Sequence, residues 1–426
     1  MNAVAPHKNA GPVKTDQPKP ALSVAEARRT ILTSVALPRA VETVALAEAH
    51  GRTLAAPLAA KRTQPPFAAS AMDGYAIRAD DLHSARAPVK LTLIGESAAG
   101  HGFAGTVGPM ETVRIFTGAP VPEGTDTILI QELVTIEDGL ILPQKTPPRG
   151  RYIREAGLDF QEGEILLPEG RRLSAADLAL AAAMNHAVVP VTKQPRVGIL
   201  ATGDELVRPG EALGPSQIVS SNSYAIAAQV RAAGGLPVDL GIAGDNAIAL
   251  AQGIAAARML KVDVLVISGG VSVGDYDLVR KALLQEGMEL SFWRIAMRPG
   301  RPLIHGMLGD MAILGLPGNP VAALVCGLLF LTPLVRILDG EAGVLEADPS
   351  EPALLAEALP ENDAREDFLR ATYVRTDNGL PSVTPFAAQD SSLLHVMAEA
   401  NCLLIRPPHA PTASAGDPCR IIRLDR

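Results

Sequence analysis

The residues with the most chemical potential lie in the run ISGGVSVGDYD, residues 267–277. The apolar stretch VDVLV precedes it and the helical pattern LVRKALLQ follows it. In parallel α/β sheets, ligands bind beyond the carboxyl ends of the strands. Ser268, Gly269, Gly270, Ser272 and Gly274 would let backbone and hydroxyl groups approach a ligand there, and a helix start favours an anion. The run lacks the GK[ST] ending of a P-loop and does not follow GxGxxG. Asp275 and Asp277 would repel a bare phosphate, a conflict that a magnesium ion between carboxylate and phosphate removes. Taken alone, the run also reads as a tight turn followed by capping aspartates.

Acidic residues recur at two further strand ends. ATGDELVRPG places Asp204 and Glu205 after the run VGIL, and GIAGDN places Asp245 after another apolar run. Each by itself reads as a solvated cap; three in one β-α-β array favour a shared cation site built from Glu205, Asp245 and Asp277. FWRIAMRPGRP concentrates Arg294, Arg298 and Arg301 in an acidic chain. Guanidinium forks suit oxyanions and keep their charge, although surface arginines also pair with nearby carboxylates. Pro317, Gly318 and Asn319 form one more rigid strand–turn–helix junction in GLPGNPVAAL. Asp73 in SAMDGYAIR and Thr117 in IFTGAPVP sit in turn-like settings that residue chemistry alone does not raise to a site.

These groups need elements to hold them. Residues 196–201, 237–242, 262–268 and 311–316 read as strands, with helical stretches at 223–233, 247–260 and 278–286 between them. Such alternation predicts a doubly wound αβα domain with a mostly parallel sheet. Ser23 and Glu26 predict a capping box opening a helix, and a second helical stretch is expected at 41–49. Between residues 88 and 154 short β-type runs alternate with Gly and Pro turns, an inserted all-β module. Helical character returns near 171–184, and after Gly340 short runs again predict a small β-barrel or sandwich.

Composition sets the outer limits. The 426 residues are 47% hydrophobic and 20% charged, which requires several globular domains rather than a disordered chain. Aromatics are only 3%, so Ala, Val, Leu and Ile must fill the cores. A net charge of -8 argues against a broad nucleic-acid surface. Cys326, Cys402 and Cys419 show no CxxC spacing, which points to a reducing compartment. Residues 1–21 carry no apolar signal run and are expected to be a flexible tail. The most apolar stretch, 321–338, is interrupted by Pro333 and Arg336 and is expected to be a buried helix rather than a membrane anchor.

The ordered runs SAMDGYA, FTGAPVPEG, ATGDEL, SGGVSVGDYD, RPGRP and GLPGNPVA together resemble the MoeA family, which includes the gephyrin E domain. The resemblance extends from about residue 22 to the C-terminus. It implies a discontinuous helical and mixed domain (22–62 and 158–190), an inserted β domain (63–157), an αβα molybdopterin-binding domain (191–340) and a C-terminal β domain (341–426). It further implies a cytoplasmic homodimer whose cleft brings Asp73 and Thr117 of one subunit to Glu205 and Asp277 of the other. Functional roles carry over to Asp73, Thr117, Glu205, Asp245, Asp277, Arg294, Arg298, Arg370 and Ser391, the last two through REDFLR and QDSS. Arg294 and Arg298 stand where many members have Lys.

The implied reaction is magnesium-dependent insertion of molybdate into adenylyl-molybdopterin, giving molybdenum-molybdopterin and AMP. A molybdopterin adenylyltransferase and factors delivering to molybdoenzymes are the implied partners, with no nucleic acid or membrane. Competing readings are the adenylyltransferase itself, a scaffold, and a pterin storage or delivery paralogue.

Overall fold

The computed structural model describes residues 21–36, 40–84, 88–270, 278–377 and 379–424. Residues 1–20 of the expected tail, and Ser272, Gly274, Asp275 and Asp277, lie outside the described residues. The chain divides into two compact units, one of residues 41–192 and one joining residues 1–40 to 193–426.

The second unit is centred on a six-stranded sheet. Its order is Leu236–Ala243, Arg196–Thr202, Val264–Ser268, Met311–Leu316, Pro302–Leu308, Glu289–Arg294. The first four strands are mutually parallel, and Pro302–Leu308 pairs antiparallel with both Met311–Leu316 and Glu289–Arg294. Burial on both faces explains the unbroken apolar runs. Val264 and Val266 enter one core with Ile226 and Val230 of the helix Asn222–Ala232; Leu265 and Ile267 enter the other with Leu250 and Ile254 of Ala247–Met259. Each fully buried side chain of this kind is worth about 1.5–3 kcal/mol.

Pro299 and Gly300 argue for a turn between Arg298 and Arg301, and the chain does turn there, while Arg294 ends an edge strand. A Cβ on Gly300 would approach Cys326 Sγ to 2.5 Å, at a φ of +110°.

The run Pro320–Leu338 is the one candidate among the described residues with the length and apolarity of a membrane span. It is buried in the core, as expected, and passes through π-helical geometry at Gly327–Leu331 just before Pro333. Proline has no amide hydrogen to give to the turn before it, and a wider turn there absorbs the break.

After this helix the chain forms a closed five-stranded barrel. Glu366–Val374 pairs with both Ser382–Pro385 and Cys402–Arg406, while Ser350–Leu355 and Pro418–Arg423 complete the ring. Met297–Arg298 adds to the barrel edge beside Glu366 and Asp367, and Phe368, Leu403 and Ile422 enter the α/β core.

The helix Val24–Leu32 carries the expected capping box: Ser23 Oγ accepts from the Glu26 amide, and the Glu26 carboxylate accepts from the Ser23 amide. Its buried face, Ala27, Ile31 and Leu32, packs into the α/β core. Arg28 pins it there by donating to the carbonyls of Val344 and Leu345.

In the first unit, the helix expected at 41–49 is instead the strand Val41–Ala45 and a 3-10 turn, Leu46–Glu48. Val41, Thr43 and Val44 are β-branched, and the stretch pairs antiparallel with Val188–Thr192. The β module is a mixed sheet in the order Thr127–Ile130, Gly74–Ile77, Glu111–Ile115, Leu91–Ser97, Leu140–Pro143, Val134–Glu137. The helix Ala175–Ala183 opens with a second capping box, Ser174 with Asp177.

Candidate functional site

Parallel register brings three strand ends level. Ala201 pairs with Ser268, and Ser268 with Leu316. The chain then turns at Gly269 and Gly270, with φ of +101° and +61°. A Cβ on Gly269 would overlap the Thr202 carbonyl, and one on Gly270 would come within 2.7 Å of Thr202 Oγ1 and of Val279. Glycine is required here because three backbones crowd one point. Gly318 of the neighbouring turn packs 3.6 Å, Cβ position to Cα, from Gly269. Asn222 ties the two turns by donating Nδ2 to Ser268 Oγ (3.0 Å) and to the Gly318 carbonyl (2.8 Å). Sequence reasoning missed Asn222. Its one available signal was an asparagine at the start of a helix in the SSNS run.

The Pro317–Gly318–Asn319 turn reaches the barrel. Asn319 Nδ2 donates to Ser391 Oγ (2.7 Å), and the Val321 amide donates to the Ser391 carbonyl (3.1 Å). Gln389 clamps Arg370 by accepting from its amide (3.0 Å) and donating to its carbonyl (2.9 Å). Arg370 is 1% exposed, and its Nη2 donates to the Asp390 carbonyl at 3.2 Å. Burial pulls its pKa down, yet arginine stays charged. Arg370 Nε and Asp367 Oδ1 are buried and have no hydrogen-bond partners among the described residues. Asn319, Ser391 and Arg370 thus form one connected set at the carboxyl edge of the sheet.

The three arginines of the RPGRP region have separate settings. Arg298 pairs with Asp367 and lies 3.6 Å from Asp363, so it takes the carboxylate-paired alternative. Arg298 Nη2 also lies 3.4 Å from Asn362 Oδ1. Arg294 stacks over Trp293, 3.7 Å from the ring centre. Arg301 is exposed, and its carbonyl accepts from the Ile295 amide.

Among the acids, Glu205 and Asp245 are exposed and follow adjacent parallel strands. Glu205 folds back over its own turn, 2.5 Å from where a Gly203 Cβ would stand. The Asp245 amide donates to Asp204 Oδ1 (3.1 Å). Asn246, not Asp245, caps the following helix, which leaves the Asp245 carboxylate free of that duty. Among the described residues no three His, Cys, Asp or Glu side chains form a metal cluster. Glu205 and Asp245 are hard oxygen donors of the kind magnesium takes, and they suit a site completed by substrate phosphate and water.

Asp73 and Thr117, separated in sequence, meet in the β module. Asp73 Oδ1 accepts from the Thr117 amide and from Thr117 Oγ1, both at 2.8 Å. These bonds, the amide first, hold its carboxyl below the usual carboxylate range. Arg114, which sequence reasoning did not single out, lies 4.9 Å and 5.1 Å from the rings of Tyr75 and Phe116 and donates to Gln131 Oε1 (2.6 Å). Cys326 and Cys402 are buried, and burial pushes both thiols up to about 12, so neither is a ready nucleophile.

A glycine turn at parallel strand ends, flanked by exposed acids and by buried and exposed arginines, defines an α/β enzyme that handles an anionic ligand. Residues 22–185 match the MoeA N-terminal region (domain I and II), residues 198–337 the probable molybdopterin binding domain, and residues 352–424 the MoeA C-terminal region (domain IV). A molybdopterin molybdenumtransferase of Haemophilus influenzae is 34% identical over 93% of this chain and 97% of its own. One from a Nostoc species is 37% identical over 90% of this chain and 88% of its own. The solved molybdopterin biosynthesis moeA protein of Pyrococcus horikoshii OT3 is similar with a TM-score of 0.81 at 27% identity, covering 95% of this chain and 100% of that one. The chain belongs to the molybdopterin molybdenumtransferase family and is an enzyme of molybdenum cofactor biosynthesis.

Proposed function

We propose that the chain catalyses magnesium-dependent insertion of molybdate into adenylyl-molybdopterin, giving molybdenum-molybdopterin and AMP. The observation that carries this reading is the connected set at the sheet edge, from Ser268–Gly270 through Gly318 and Asn319 to Ser391 and Arg370. Backbone at Gly269 and Gly270 seats the phosphate or pterin portion. Arg294, Arg298, Arg301 and Arg370 supply positive charge for molybdate, a dianion, in an otherwise acidic chain. Glu205, Asp245 and Asp277 hold the magnesium, which when bound neutralises charge on the pyrophosphate. The arginines also stabilise charge that develops as the phosphoanhydride breaks.

The working unit in this reading is a cytoplasmic homodimer in which Asp73 and Thr117 of one subunit complete the site of the other. A molybdopterin adenylyltransferase supplies its substrate. The test is AMP release by purified protein from adenylyl-molybdopterin, with and without magnesium and molybdate and with no ATP. Release that needs both ions is expected. Full release by Glu205→Gln would end the carboxylate assignment, and unchanged molybdate dependence in Arg294→Ala/Arg298→Ala would end the oxyanion assignment.

A further inference from the structure

Thr202 closes the strand Arg196–Thr202 directly beneath the Gly269–Gly270 turn. It is 2% exposed. Its hydroxyl is buried and has no hydrogen-bond partner among the described residues. Leaving a buried hydroxyl unpaired costs about 1–3 kcal/mol, and valine would fill the same space without that cost. A fold selected for stability alone has no use for threonine here. The hydroxyl nevertheless stands at one particular place, 2.7 Å from where a Cβ on Gly270 would be. Both turn residues have positive φ, a backbone setting in which a glycine peptide can rotate at little steric cost.

We propose that Thr202 is a positioning residue for the reaction: its hydroxyl is the hydrogen-bonding group onto which the Gly269–Gly270 backbone settles when the anionic end of the substrate occupies the turn. This inference rests on the function proposed above. The hydroxyl is covered by the turn, so it acts through the backbone and not by touching substrate. The bond it makes is absent without ligand and present with it. The interaction is therefore spent on binding the substrate and not on holding the empty fold.

The experiment compares wild type, Thr202→Val and Thr202→Ser in the full chain, by thermal melting and by substrate saturation of AMP release. Thr202→Val is expected to melt at or above the wild-type temperature while KM for adenylyl-molybdopterin rises about tenfold, equivalent to about 1.4 kcal/mol. Its kcat is expected to stay within about threefold. Thr202→Ser, which keeps the hydroxyl, is expected to restore the wild-type KM. An unchanged KM in Thr202→Val would overturn the proposal. So would a melting point well below wild type, which would make the hydroxyl structural, or equal defects in the Ser and Val variants. If wild type releases no AMP, the functional reading fails separately. Equilibrium binding of inorganic pyrophosphate then decides this proposal: tenfold weaker binding by Thr202→Val supports it, and equal binding overturns it.

Discussion

Glu205 and Asp245 reach into solvent from short turns, one folded over Gly203 and the other tied to Asp204 through its amide. Arg370, on the other side of the same sheet edge, is buried on a barrel strand, its backbone clamped by Gln389 and its guanidinium bonded to the Asp390 carbonyl. The acids bring charge but little rigidity. A hydrated cation tolerates this, because water and substrate oxygens complete its shell. The buried guanidinium brings fixed geometry, which a small oxyanion needs if its charge is to be met without reorganisation. Rigidity is therefore placed on the barrel side and adaptability on the acidic side.

The strongest way to break this contrast is Arg370→Met, which keeps the stem and removes the fork. AMP release is expected to fall by roughly 100-fold. Stability should fall by about 1–3 kcal/mol in denaturant titration, since the Asp390 carbonyl loses its donor. Near-normal activity would show that the buried charge is only architectural.

The two glycine turns offer the next comparison. Gly269→Ala forces a side chain into the Thr202 carbonyl at a positive φ and should cost about 1–3 kcal/mol. Gly318→Ala meets only an ordinary contact at 3.6 Å and should stay within about 0.5 kcal/mol. Equal melting temperatures for the two variants would refute the crowding described at Gly269.

Asp73 sharpens the comparison through pH. Its folded carboxyl is held below the usual range by Thr117. Whatever it contributes is therefore present above its unfolded value, about 3.9, and is lost as pH falls through the lower folded value. The melting-temperature gap between wild type and Asp73→Asn should be constant from neutral pH down to about 5 and close in stronger acid. A gap that widens on acidification would contradict the bonding seen here. The smallest effect is expected from Ser391→Ala, which removes the acceptor of the Asn319 bond and should raise KM by a few-fold.

Much of this arrangement was legible in the chain. Ser23–Glu26 announced its helix because both partners of a capping box lie within one turn. The strands ending at Thr202, Ser268 and Leu316 were readable because burial on both faces leaves unbroken apolar runs. The strand Val41–Ala45 was misread because its partner, Val188–Thr192, lies far along the chain. The antiparallel pair Glu289–Arg294 and Pro302–Leu308 at one side of the sheet was hidden by the proline and glycine between them.

By itself the sequence determined where acids, glycines and arginines stand relative to strand ends, because periodicity and turn chemistry act over a few residues. It also determined family membership, through motifs in fixed order. Only the tertiary structure decided that Arg298 pairs with Asp367 while Arg370 is buried, that Asn222 bridges two turns, and that the Thr202 hydroxyl has no partner among the described residues. Those outcomes depend on which distant side chains arrive at the same point and exclude water there, and local sequence rules carry no information about such encounters.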